Sequence, residues 1–572
     1  MSDTPGDASP RIRQPFARRL PLAAPLRLNR PSDTWFKPAL SVVAASAVPH
    51  LTLLALGRLD LVMYTMAGSL CALYGHGLPY ARRARTVAGV VLSMTAGLAA
   101  ALVTASLTHS TAVLVAVGAL LAATQKAACD AVRIGPPGHV ILTFVSSAAL
   151  FAPQRLGQVP AHLALILGAG AVAWLVCVGP ALIRREGPER RAVARALEAA
   201  ADRVAEPGPR TRHTAAAAVH GAWQCLLASG RPTPVRRSLE RLVVHAETAL
   251  SDPDRLRAWA ALTRARGPVP EPPPAPGTAA ELYGICAERA ALRASGGRRA
   301  ARRTLLRSLG PGSHLLPVAA RTLIGCALAG YLCAALGVGR PYWAIVTAAS
   351  LYQANTTLTW NRTLQRTLGN LLGVLVFAAV LPLSRTGPLA LVLCCLFFSF
   401  AAEALITRNY WLGSVAVTPM ALLVLEFGGT HPAGELVGER VLDTVLGALA
   451  GFLAAALVTN RRAAGRVERA LEAAAQARTD AERAYADRDR TGPDGLDRAR
   501  RALTARLVEL RETADIAAGE WWQRALPEQR LLAAERAGHR TLAATAQRLG
   551  PPVRAPETRR GAVAPAPANG AA

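Results

Sequence analysis

Twelve apolar runs near membrane-spanning length constrain this chain of 572 residues more than any other feature. They fall near 38–56, 60–76, 86–107, 111–125, 138–152 and 160–183 in the first half. In the second half they fall near 317–337, 341–353, 367–384, 387–406, 410–427 and 441–459. A helix of about 20 apolar residues crosses about 30 Å of hydrocarbon, and several of these runs are somewhat short of that. The run at 341–353 is the shortest and gains length only by taking in the polar residues behind it. Hydrocarbon offers backbone groups no partner, so apolar runs of this kind must close their own hydrogen bonds as helices. The expected fold class is an all-α polytopic membrane protein, built as two six-helix transmembrane repeats with helical cytoplasmic domains.

Charge sets the expected topology. The net charge is +28, and much of it lies in the terminal and central polar segments, where cytoplasmic flanks of a membrane protein carry it. If the Arg-rich N-terminus (Arg11, Arg13, Arg18, Arg19, Arg27, Arg30, Lys37) is cytoplasmic, the even-numbered loops are too. Those loops hold Arg82, Arg83 and Arg85, then Lys126 and Arg133, and later Arg362, Arg366 and Arg408. The opposite loops hold fewer, and the last is acidic through Glu435. The expectation is a multi-pass protein of the plasma (inner) membrane with both termini cytoplasmic. No cleavable signal is visible in residues 1–37, so the first apolar helix would direct insertion. Basic-aromatic stacking motifs and zinc-finger spacings are missing, which argues against a nucleic-acid partner.

Composition shifts divide the chain. A cytoplasmic tail at 1–37 precedes a first transmembrane bundle at 38–185, and a polar, Ala/Arg/Glu-rich helical domain follows at 186–312. A second bundle occupies 313–460, charged C-terminal helices run over 461–550, and 551–572 is a Pro/Ala-rich disordered tail. Within the central segment, GPVPEPPPAPG at 267–277 reads as an extended linker. Trp521-Trp522 reads as helix-on-helix packing. Shifting the first half by 280 residues brings Tyr80 onto Trp360, Arg82 onto Arg362 and Gly89 onto Gly369. With six helices in each half, such a duplication would be parallel rather than inverted.

The stretch Arg340–Gly373 concentrates what chemistry the chain has. YWAIVTAASLY leads into the polar hinge QANTTLTWNR, then Arg362 and Arg366 four apart, then Gly369 and Gly373 four apart. In a helix Arg366, Gly369 and Gly373 share a face that is cationic at one end and small behind it. Tyr342-Trp343-Ala344, Arg362, and Arg366 followed by Gly369 and Gly373 resemble the core hairpin of the fusaric-acid-resistance (aromatic acid exporter-like) membrane proteins. Arg440, Asp443, Thr444 and Gly447 resemble that family's R-x-x-D-T-x-x-G helix, and Arg321 is similar to its preceding arginine. The resemblance covers about 321–459, and Asn370 stands where the family usually has Thr. It implies a transporter that exports organic, including aromatic, carboxylic acids by a secondary mechanism.

Read alone, the residues support an anion-attracting mouth and intramembrane charges. Each ionisable group at membrane depth costs about 2.5–3.5 kcal/mol on insertion scales unless it is paired or hydrated. Candidate substrate contacts are Arg321, Tyr342, Trp343, Asn355, Thr356, Arg362 and Arg366, because guanidinium forks match carboxylates and the rings could flank an aromatic acid. Glu403, Arg440 and Asp443 are the coupling or ion-pair candidates. The bland alternatives stay open: snorkelling for Arg321, positive-inside loop charge for Arg362 and Arg366, aromatic-belt anchoring for Tyr342 and Trp343, and a local pair for Arg440 and Asp443. Gly369, Gly373, Gly447 and Gly451 are read as helix-packing positions. Glu426 is read as a solvated surface residue, and His139 as a capping or solvated one.

No P-loop, G-x-S-x-G, H-E-x-x-H or Cys–His signature occurs, so no catalytic site, metal site or cofactor is expected. The nine cysteines lack a CxxC pair and read as small buried hydrophobes. The expected partners are the bilayer and a small organic anion, with a homo-oligomer left open. An anion channel of related architecture, or a non-transporting membrane scaffold, are the rival readings.

Overall fold

The structure, a computed structural model, describes residues 23–29, 35–229, 233–248, 252–265, 267–272, 315–458, 463–520 and 526–547. Trp521-Trp522 and the tail at 551–572 lie outside these. Every regular element among the described residues is a helix. The chain forms two compact units, the first from Met1–Arg185, Gly296–Arg466 and Thr513–Leu526, the second from Glu186–Ser295, Val467–Glu512 and Pro527–Ala572.

In the first unit the first-half helices are α1 (Phe36–Ala55), α2 (Val62–Ser69), α3 (Tyr80–Leu107), α4 (Thr111–Ala131), α5 (Val140–Leu150) and α6 (Val159–Val178). The second half contributes α11 (Leu315–Ala335), α12 (Tyr342–Leu351), α13 (Thr356–Ser384), α14 (Pro388–Ile406), α15 (Tyr410–Glu426) and α16 (Ala433–Leu457). Each of the twelve apolar runs coincides with a helix, but only eight are long and apolar enough to cross a bilayer. The four short ones are α2, α5, α12 and α15. The reason is plainest at α12, where Tyr352 turns to extended backbone and the Asn355 side chain accepts from the Leu358 N–H at 2.8 Å, capping a new helix. Arg362 and Arg366, expected in a loop, therefore stand in the first three turns of α13. Likewise α16 starts at Ala433, well before the apolar run, and takes in Glu435, Glu439 and Arg440.

Packing within this unit is reciprocal. Helix α1 packs on α14 and α4 on α11, while α2 with α6 is matched by α12 with α16, and α3 with α6 by α13 with α16. Small residues bring the backbones together. A Cβ built on Gly447 would lie 2.7 Å from the Ala344 carbonyl oxygen, and one on Gly451 3.1 Å from the Ala348 Cα, so α16 rests directly on α12. A Cβ on Gly369 would lie 2.5 Å from the Trp411 carbonyl oxygen and one on Gly373 2.7 Å from the Thr418 Cβ, placing α13 as close to α15.

Polarity is turned inward. Leu92, Leu120, Leu175, Leu375, Phe397 and Leu453 are exposed on the long helices, whereas Arg321, Asn370, Arg440 and Asp443 are buried. A water-facing surface would not gather apolar side chains in this way, and a lipid-facing one must.

The second unit buries the apolar faces of its helices in cores of its own. Helices α7 (Gly187–Ala205), α8 (Pro209–Ala228), α9 (Pro234–Thr248) and α10 (Pro253–Arg264) bury Leu197, Leu226, Leu242 and Trp259 in a shared core. Helices α17 (Ala463–Ala486), α18 (Arg488–Ala518) and α19 (Glu528–Gln547) add a smaller cluster around Ala481, Leu503 and Leu507. Arg500 on α18 lies 3.4 Å from both Glu247 and Asp497. Burial pushes the Asp497 carboxyl up to about 6, against the partial pull of Arg500.

Two outcomes follow. Gly447→Ala should destabilise the detergent-solubilised protein by about 1–3 kcal/mol through overpacking. Gly438→Ala, with open space around it, should be neutral or stabilising by up to about 1 kcal/mol, as thermal melts of the two variants will show. Between pH of about 4 and 6 folded Asp497 keeps a proton that the unfolded chain releases, so the second unit loses stability as pH rises through that window and changes little above it. Hydrogen exchange of the α9 and α18 amides should show that slope, and Asp497→Asn should flatten it.

Candidate anion site

Helix α12 is the wall around which the site is built. All ten of its residues are buried and none is charged, so it sits inside the unit rather than on its lipid face. Behind it opens a cavity of about 1150 Å³, lined from both halves. Its described lining carries seven Lys and Arg side chains (Arg82, Arg85, Lys126, Arg133, Arg362, Arg366 and Arg440) against two carboxylates, Asp130 and Glu403. Asp130 is already taken by Lys126 at 2.8 Å. The remaining excess is strongly positive.

Two of these cations rest on aromatic rings. The Arg362 guanidinium lies 3.7 Å from the centre of the Tyr410 ring, and Arg366, one turn on, donates to the Tyr410 hydroxyl at 3.2 Å. The Arg440 guanidinium lies 4.0 Å from the centre of the Trp343 ring, which stacks in turn on Phe144 at 5.5 Å. Arg440 is only 1% exposed, and none of its three guanidinium nitrogens has a hydrogen-bond partner. A ring face recovers part of the lost hydration of a cation but accepts none of its N–H groups in the way a carboxylate does. Arg440 thus presents unused donors at the wall of a cation-rich cavity.

The sequence candidates separate on this geometry. Trp343, Arg362, Arg366, Glu403 and Arg440 all line the cavity. Tyr342 does not; it is buried beside Trp343 and Phe151, against a much smaller pocket. Arg321, Asn355 and Thr356 must also be moved, because they face the segment that ends α18. Arg321 reaches both Glu520 carboxylate oxygens, at 3.3 and 3.2 Å, and Thr356 donates to one of them at 2.8 Å. Asn355 donates to the Ile516 carbonyl. Asp443 is fully buried outside the cavity lining, accepting from the Cys333 thiol at 3.3 Å, with its second oxygen unpartnered. No hydrogen bond joins it to Arg440.

Other readings change as well. Glu426 is buried rather than solvated, because Arg385 holds it at 2.8 Å and the His431 N–H donates to it. His139 is buried at the start of α5, with its ring nitrogen 3.1 Å from the Ala349 carbonyl. Asn370 bridges three helices, donating to Thr444 on α16 and accepting from Thr418 on α15. Tyr410 and Phe144 were not singled out from the sequence. Tyr410 had a signal: Arg408-Asn409-Tyr410-Trp411 repeats the R-x-Y-W spacing of Arg340-Pro341-Tyr342-Trp343. Phe144 had none.

Residues 325–454 match the family model described as fusaric acid resistance protein-like. With that match and with eight helices long and apolar enough to cross a bilayer, the chain is a multi-pass membrane protein. The chain is also 31% identical over 129 residues to the uncharacterized membrane protein YvaC of Bacillus subtilis (strain 168), covering 22% of this chain and 20% of that one. The chain therefore aligns with about a fifth of that relative's length. No solved structure matches the chain. All second-half cavity residues named above fall inside the fusaric-acid-resistance-like segment, whereas Arg82, Arg85, Lys126, Arg133 and Phe144 fall outside it.

An uncompensated buried guanidinium is destabilising when nothing is bound. Arg440→Met, close in volume and apolar, should therefore raise the melting temperature of the empty protein in detergent. Asn370→Val, which removes the amide bridge between Thr418 and Thr444 while each hydroxyl keeps its own backbone carbonyl, should lower it, at a stability loss of about 0.5–1.5 kcal/mol.

Proposed function

We propose that the protein is a secondary transporter that exports small organic acids, aromatic carboxylates included, across the plasma membrane. The observation that carries this reading is Arg440, a buried guanidinium with no hydrogen-bond partner at the wall of the cation-rich cavity. In the proposal a carboxylate takes its free N–H groups, Arg366 and Arg362 hold the anion from the α13 side, and Trp343 with Phe144 flanks an aromatic ring. Glu403, the other carboxylate on the cavity wall, is the coupling group. Asp443 remains a second candidate for that role because one of its oxygens is unpartnered.

Direction follows from charge. The cavity is lined by exposed Arg82, Arg85 and Arg133, so it opens on the flank that carries the basic loops. Positive-inside makes that flank cytoplasmic, together with both termini and the soluble helices. The reciprocal contacts of α1 with α14 and of α4 with α11 support two parallel six-helix repeats, as does the shared long-short-long-long-short-long order. A site between two such repeats suits alternating access by rocking of one against the other.

Uptake of radiolabelled benzoate into inside-out vesicles tests the reading. Arg366→Ala and Arg440→Met should each reduce saturable uptake by about tenfold or more while the protein stays in the membrane. Unchanged uptake would remove these residues from the mechanism. A conductive, weakly saturating flux in liposomes would make the protein an anion channel.

A further inference from the structure

The end of α18 behaves as an internal ligand of the membrane unit. Residues 513–526 belong to that unit. Within them Glu520 is 9% exposed and forms a two-pronged ion pair with Arg321, whose Nε donates to the Val458 carbonyl at 2.5 Å. The Thr356 hydroxyl donates to Glu520 at 2.8 Å. The Thr357 backbone N–H and hydroxyl both donate to the Gly519 carbonyl, at 3.0 and 2.8 Å. Asn355 donates to the Ile516 carbonyl at 3.1 Å.

These bonds converge on the break between α12 and α13. One turn beyond Arg321 on α11, Gly325 leaves room for the Tyr352 side chain to pack against the helix backbone. Tyr352 and Gln353 form the first residues of the break, and both line the large cavity. The ion pair and the cavity wall are thus opposite sides of one short segment. A break between two helices lacks a full ladder, and beyond the local bonds of Leu358 to Asn355 and of Gln353 to Thr359 its position depends on what bonds it from outside. Here residues 516–520 supply the outside bonds, and Arg321 in turn anchors Glu520.

We propose that Glu520 is a positioning residue for anion binding, acting through Arg321 and Thr356 to hold the α12–α13 break and the cavity wall it forms. It touches no substrate. The proposal rests on the cavity being the anion site, and its test contains a readout that does not need transport.

The test uses the full-length protein. Glu520→Gln keeps the shape of the side chain and removes its charge. It should raise the half-saturating benzoate concentration about threefold or more, with a smaller change in maximal rate. A Gln353→Cys reporter should at the same time label faster with a membrane-impermeant maleimide. Exchanging the pair as Arg321→Glu with Glu520→Arg should return both readouts toward wild type. Should Glu520→Gln fail to fold, Thr356→Val, which deletes one donor only, carries the same comparison. Folded variants with unchanged labelling and unchanged benzoate saturation would overturn the proposal. Faster labelling in a protein that moves no benzoate even as wild type would support the positioning role and sink the transport reading.

Discussion

The architecture depends on one constraint: a charge in hydrocarbon must be turned inward and given a partner or water. Leu92, Leu375, Phe397 and Leu453 cover the outside, so Arg321, Arg366, Arg440 and Asp443 are confined to the interior. Inside, the solutions differ. Arg321 is fully paired with Glu520 and the Val458 carbonyl, and Arg385 is paired with Glu426. Arg366 keeps one bond, to Tyr410, while Arg440 has none. The cations thus run from satisfied at the flanks to unsatisfied beside the cavity.

Close backbone approach makes such an interior possible. Gly447 and Gly451 let α16 rest on α12, which puts Arg440 over Trp343 rather than a full side-chain layer away. Gly369 and Gly373 bring α13 onto α15 in the same way and set Arg362 over Tyr410. Asn370 stands between these glycines, and its amide both donates and accepts, so it bonds α15 and α16 at once. A threonine there would offer one hydroxyl donor and a shorter reach.

Much of this was legible in the sequence. Apolar length located all twelve helices because bilayer thickness acts on composition directly. The R-x-x-x-R and small-xxx-small spacings located the cationic and close-packed faces because a helix repeats every few residues. What failed were inferences about partners distant in the chain. Arg321 reads as a substrate arginine until Glu520, 199 residues away, is seen to hold it. The first-half share of the cavity, Phe144 and Arg133 included, was equally hidden, since only packing of the two halves brings it opposite Arg440. The four short helices were over-read for a related reason: once neighbours cover them, they need not span the bilayer to be stable.

The repeated R-x-Y-W spacing bears on why arginine, rather than lysine, occupies these positions. Each copy supplies one ring that carries a cation from another helix: Trp343 carries Arg440 of α16, and Tyr410 carries Arg362 of α13. A guanidinium is flat, weakly hydrated and charged at any working pH, so a ring can take its face while donors in its plane remain free. A lysine ammonium loses more hydration on burial and readily sheds its proton there, and a neutral amine would no longer attract a carboxylate. The aromatic shelf therefore makes a buried cation tolerable without neutralising it. A salt bridge could not do both, because a carboxylate partner would occupy those in-plane donors.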